Sequence, residues 1–165
     1  MVVVPETLRV VPIFAELDDE ALRQLTSTCT RHTHKKNTQL IRQGEVGKNL
    51  HIIESGRVRI FVSSEDGREI TINEEGSGSC IGEIALLDDE PRSASVVTLE
   101  KTETIAISKS AFQECAAENP AIAFAIIRTL TRRLRAATGG LKSLCLLYTS
   151  PSPRDQRGSR MPSSA

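Results

Sequence analysis

The chain has 165 residues, room for about one domain of the usual ~100–150 residues. Its 39% hydrophobic and 25% charged content excludes wholesale disorder, collagen and a coiled-coil rod. Lys and Arg number 21 against 21 Asp and Glu, so no domain-wide basic field exists to hold nucleic acid by neutralising phosphates.

In chain order, residues 8–14, with Pro12, form an apolar lead-in, and Asp18 is placed to cap a helix over 19–29 with Leu22 and Leu25 inward. Short β-type runs follow at 39–41, 50–54, 57–63, 69–73, 94–98 and 104–108, with period-2 alternation in Val58, Ile60 and Val62. Gln43-Gly44-Glu45, Ser55-Gly56-Arg57 and Asp66-Gly67 are turn signals, the last suited to a tight hairpin. Short, regularly spaced strands predict a sandwich or barrel. The period then changes to helical, with one helix over 109–117 and a longer one opened by Pro120. In the longer helix Ile127, Leu130, Leu134, Ala137, Leu141 and Leu144 form a coiled-coil-like stripe, either covering the β domain or meeting a partner helix. Arg128, Arg132 and Arg135 lie off the stripe, and Gly139-Gly140 weakens the helix by about 1 kcal/mol per glycine, which allows a bend.

The longest apolar run, 121–127, is far short of the roughly 20 residues that span a bilayer, and the Met1-Val2-Val3-Val4-Pro5 start lacks a basic flank. A cytoplasmic chain without membrane attachment is expected. Cys29, Cys80, Cys115 and Cys145 show no CxxC spacing, which points to reduced, isolated thiols and away from a zinc or iron–sulfur cradle. Aromatic content of 3% without Trp argues against a stacking platform for single-stranded nucleic acid.

From Cys145 the composition turns abruptly to Ser, Pro and Arg. The stretch CLLYTSPSPRD (145–155) and, after a short gap, SRMPSSA (159–165) resembles the frame translation of a sequencing-library transposase adaptor, codon by codon. Residues 145–165 are therefore expected to be a non-native, disordered extension outside the fold. On this reading the native gene end after Leu144 is lost, and the native part carries a slight excess of acid over base.

The informative stretch is 81–96, IGEIALLDDEPRSASV. It resembles the phosphate-binding cassette of cyclic-nucleotide-binding domains, whose pattern is roughly F-G-E-[LIM]-[AS]-L-[LIM] followed by P-R-x-[AS]-[ST]-V. The resemblance extends over about 8–144, including the Gly44, Gly56 and Gly67 turns, and points to the Crp/Fnr, catabolite-activator-like branch. It implies a mainly β fold with flanking helices: a double-stranded β-helix (jelly roll) barrel with an N-terminal helix over 1–118, then a long dimerisation-type helix over 119–144.

The implied ligand is a cyclic nucleotide, cyclic AMP or cyclic GMP, with one phosphate charge and a free ribose 2′-hydroxyl. Gly82 lets backbone approach it, and a short helix at 83–87, including Ile84 and Ala85, aims first-turn N–H groups at the phosphate. Arg92 supplies a fork that pairs bidentately with phosphate, and Ser93 adds a hydroxyl or amide. Glu83, acceptor-only when ionised, suits the 2′-hydroxyl and can help hold Arg92 in an empty pocket. Leu86, Leu87 and Val96 are assigned to the core. Aligning Arg132-Arg133-Leu134 with the long helix of the regulators puts Ala137 and Thr138 at the base-contacting pair, where two hydroxyls are usual and only Thr138 supplies one. Ile81 stands where an aromatic is usual.

The implied role is the sensory half of a transcription regulator that pairs through its C-terminal helix and meets DNA only through a segment missing here. A regulatory module of a kinase, channel or transporter is the alternative. A third reading, a cupin-like metal enzyme, starts from His32-Thr33-His34, which would share one strand face. Position 38 is Thr where a carboxylate is needed, so the two imidazoles are assigned to solvent beside Lys35-Lys36, with no metal. No N-terminal cysteine cluster suggests iron sensing. No activated nucleophile or positioned acid–base pair is visible, so no catalytic residue is assigned and no turnover is expected.

Overall fold

The structure, a computed structural model, describes residues 2–149, with side chains as far as residue 139. Helix α1 (Pro5–Arg9) and a 3-10 turn at Pro12–Phe14 each carry proline at their start, where its missing N–H costs nothing. Helix α2 (Asp19–Ser27) is capped as expected: the Asp18 side chain accepts from the Ala21 N–H at 2.8 Å. Leu22 and Leu25 are buried.

Eight strands follow: β1 (Thr30–His34), β2 (Gln39–Ile41), β3 (Asn49–Ser55), β4 (Arg57–Ser63), β5 (Glu69–Gly76), β6 (Cys80–Ile81), β7 (Ser95–Thr98) and β8 (Thr102–Ser108). A short helix α3 (Ile84–Asp88) interrupts them, and α4 (Lys109–Glu118) and α5 (Pro120–Thr149) close the chain. The strands pair antiparallel in two sheets, ordered β1-β8-β3-β6 and β2-β7-β4-β5. This is the antiparallel jelly roll with flanking helices.

Two layers of apolar contact result. Ile41, Ile53, Val58, Ile81 and Val96 form the core between the sheets. Alternation along β3 and β8 turns Leu50, Ile52, Ile105 and Ile107 the other way, all at most 1% exposed, to the side where α4 packs. There Phe112 of α4 meets Phe14 edge to face, ring centroids 6.5 Å apart.

Several sequence expectations need correction. β1 and β6 were not among the expected strands. The Asp66-Gly67 turn lies in the 64–68 connection left by the expected strands: Ser64 and Arg68 are joined by a backbone bond of 2.8 Å, the Gly67 N–H donates to Ser64 O at 3.0 Å, and only Gly67 takes positive φ, +85°. Asp66 does not, so the turn is closed by a single left-handed glycine. The helix expected at 83–87 spans Ile84–Asp88, with Glu83 as its preceding cap residue.

By compactness the chain divides into one unit reaching to Ala125 and a second starting at Ile126. In the second, α5 runs through Gly139-Gly140 without interruption and past the expected 144 boundary to Thr149. Ile127 and Leu134 of the stripe are exposed, at 56% and 68%. The expectation for 150–165 lies outside the described residues. Among the described residues no helix is long and apolar enough to cross a membrane.

Candidate functional site

The cassette starts at β6, which pairs with β3 through Cys80–Ile52 and Ile81–His51 and so anchors the chain in the middle of the roll. Gly82 then turns with φ +84°, a left-handed value open to glycine. A Cβ there would strike the Arg92 guanidinium, so this backbone path and the arginine fit only without a side chain.

Arg92 is 8% exposed and Glu83 is 4% exposed, an unusual degree of burial for charged groups. The Arg92 fork is held by main-chain oxygens: Nη1 donates to Gly82 O at 2.6 Å and Nη2 donates to Asn49 O. Its backbone is clamped too, with the Gly44 N–H donating to Arg92 O and the Arg92 N–H to Glu45 O, both at 2.8 Å. Burial pushes the Arg92 pKa down, while the Glu83 and Glu45 carboxylates push it back up. Gly47 completes the cradle, since a Cβ on it would lie 2.8 Å from Ala85 Cβ and 3.2 Å from Arg92 Cζ.

The structure thus brings Gly82, Glu83, Ala85 and Arg92 together at one place, where a buried fork-shaped cation and an adjacent carboxylate can meet an anion and a hydroxyl donor. Ala85 is buried, so its contribution there is close packing. Ile84 is 41% exposed and Ser93 is exposed, both on the solvent side of the cassette. Thr138 lies on α5 in the second unit, exposed, its hydroxyl donating to Leu134 O at 2.8 Å. Leu86 and Val96 are core residues as expected, whereas Leu87 is 45% exposed.

Sequence reasoning missed Gly47, Asn49 and the Gly44–Glu45 clamp. The sequence marks Gly44 only as a turn, and Asn49 contributes a carbonyl that any residue would carry. A second hollow, about 650 Å³, lies on the outward face of the β2-β7-β4-β5 sheet around Arg42, Gln43, Arg59, Phe61 and Ser95. Arg59 stacks over the Phe61 ring at 4.2 Å and pairs with Glu69 at 2.8 Å.

His32 and His34 do share a face of β1, ring centroids 6.1 Å apart, and His34 bonds Thr104 at 2.9 Å. Among the described residues no group of three or more His, Cys, Asp or Glu side chains could hold a metal ion.

Comparisons with known proteins bear on this geometry. The family described as "Cyclic nucleotide-binding domain" matches residues 31–119, which include both sheets from β1 onward and the whole cassette. The chain is 33% identical over 126 residues to the "Cyclic AMP receptor protein" of Thermus thermophilus, an alignment covering 76% of this chain and 58% of that protein. The chain therefore spans less than two thirds of that curated relative. Among solved structures it resembles the Thermus thermophilus catabolite activator protein, with TM-score 0.71, 32% identity and coverage of 82% of this chain and 63% of that one. It also resembles the regulatory domain of Toxoplasma gondii PKA solved with cAMP, with TM-score 0.63, 27% identity and coverage of 67% and 42%. With the family match spanning more than half of its length and the cassette folded around a buried arginine, the chain belongs to the cyclic nucleotide-binding domain family.

Proposed function

We propose that this chain is the cyclic-AMP-sensing part of a transcription regulator of the Crp/Fnr type, a binding module without turnover. The observation that carries the reading is the buried Arg92 held beside Glu83 in the cassette. On this reading Arg92 pairs with the cyclic phosphate, Ser93 adds a donor from the rim, and Glu83 accepts from the ribose 2′-hydroxyl. Gly82, Ile84 and Ala85 form the wall that brings backbone to the phosphate.

Calorimetry with cyclic AMP tests this directly. Arg92→Ala is expected to weaken binding by roughly ten- to a hundredfold, the loss of a charge-assisted bond, while far-UV circular dichroism stays unchanged. Unaltered affinity would overturn the assignment. Glu83→Gln is expected to narrow the preference for cyclic AMP over its 2′-deoxy analogue; an unchanged preference removes Glu83 from the sugar.

Pairing of two chains through α5 is supported by the exposed Ile127 and Leu134 on one stripe. The 30% identity to the "CRP-like cAMP-activated global transcriptional regulator" of Mycobacterium tuberculosis favours the transcriptional output. Likeness to a kinase regulatory domain at 27% identity supports the second reading, a regulatory module of a kinase. The continuous genomic locus of this gene decides between them: a helix-turn-helix segment supports the first, and a kinase or a second cassette the other.

A further inference from the structure

His51 sits mid-strand in β3, paired on one side with Ala106 of β8 and on the other with Ile81, the residue before Gly82 and Glu83. Alternation with Ile53, a member of the inter-sheet core, turns the imidazole toward the inside of the roll. Asn49, two residues earlier on the same face, gives its carbonyl to the Arg92 fork. The ring is neutral: burial, then the nearby positive charge of Arg92 and those His34 and His32 would carry, push its pKa down to about 4.

One atom of this ring is unaccounted for. Nδ1 is sealed from solvent and has no hydrogen-bond partner, the one such side-chain nitrogen or oxygen among the described residues. His34, by contrast, bonds Thr104. Sealed polar atoms in folded proteins are nearly always satisfied, so an orphan beside a buried cation marks a place where something else supplies the partner.

We propose that His51 is a further ligand contact of this pocket, neutral with its proton on Nδ1, donating to a phosphate oxygen of the bound cyclic nucleotide alongside Arg92. The inference rests on the cyclic-nucleotide reading above. A neutral donor suits the charge balance: one guanidinium already matches the single phosphate charge, and a second cation would leave a buried charge uncompensated.

The test titrates cyclic AMP into the intact chain, His51→Phe, His51→Asn and Arg92→Ala by calorimetry, and follows the His51 ring nitrogens of the intact chain by NMR. The Asn amide nitrogen can stand near the place of Nδ1. His51→Phe is expected to weaken binding about tenfold or more, and His51→Asn to retain most of the affinity. The unliganded Phe variant should melt no lower than the parent, because an unsatisfied polar atom has been removed. Saturating cyclic AMP should shift the Nδ1 resonance. Wild-type affinity in His51→Phe, or an Nδ1 resonance unmoved at saturation, overturns the inference, and the resonance decides even if the Phe variant fails to fold. Binding lost in Arg92→Ala but intact in His51→Phe removes His51 alone. No binding by the intact chain removes the site reading and this inference with it.

Discussion

At the scale of single residues, the site depends on side chains that are missing. Gly47 leaves the gap into which the Arg92 guanidinium fits, and a methyl group there would have to displace Ala85 or Arg92. Gly47→Ala is expected to lower stability by about 1–3 kcal/mol, the usual penalty of overpacking, and to weaken nucleotide binding; thermal unfolding and calorimetry check the two effects. His51 gives a pH prediction. Its folded pKa of about 4 lies below the ordinary 6.5, so between those values the unfolded chain binds more protons than the folded one. Stability therefore falls as pH drops through this window, by up to about 3 kcal/mol at its lower end. Positive charge on the facing groups, Arg92, His34 and His32, acts in the same direction. Denaturant titrations at pH 7 and pH 4 should show the loss, and His51→Phe should remove most of it. Gly82, Glu83 and Arg92 were legible in the sequence because their side chains, or the lack of one, carry the chemistry. The carbonyls of Gly82 and Asn49 that hold the arginine were not, since every residue has one and only the fold selects which are near.

At the scale of elements, strands with alternating apolar residues could be read, and strands without them could not. β4 was placed at its observed bounds from Val58, Ile60 and Val62, whereas β1, TRHTH, has no apolar residue and is a strand because β8 offers it a partner in register, Thr30 opposite Ala106 to His34 opposite Thr102. β6 has two residues, too few to show any period. Capping was legible at Asp18, whose side chain takes the Ala21 N–H. Asp18→Ala is expected to lower stability by about 1 kcal/mol, measurable as a shifted denaturant midpoint with unchanged slope. The Asp-Gly hairpin falls where the expected strands 57–63 and 69–73 leave residues 64–68, and within it Gly67 alone takes positive φ.

At the scale of the whole molecule, a ligand held by the folded cassette and by nothing in the unfolded chain must stabilise the fold. Cyclic AMP at a hundred times its dissociation constant is expected to raise stability by about 2.7 kcal/mol, and a thermal melt of Arg92→Ala at the same concentration should show about half that stabilisation or less. The backbone clamp between residues 44–45 and Arg92 has a consequence at this scale. Its two bonds run between main-chain atoms in both directions, so side-chain replacements other than proline leave their donors and acceptors in place. These bonds tie the Arg92 backbone to the 42–48 loop, and that loop holds Val46 at 74% exposure. Through that tie a nucleotide held by Arg92 is expected to steady an exposed stretch of the surface, and deuterium uptake by the Gly44 and Arg92 amides should slow together when nucleotide is added.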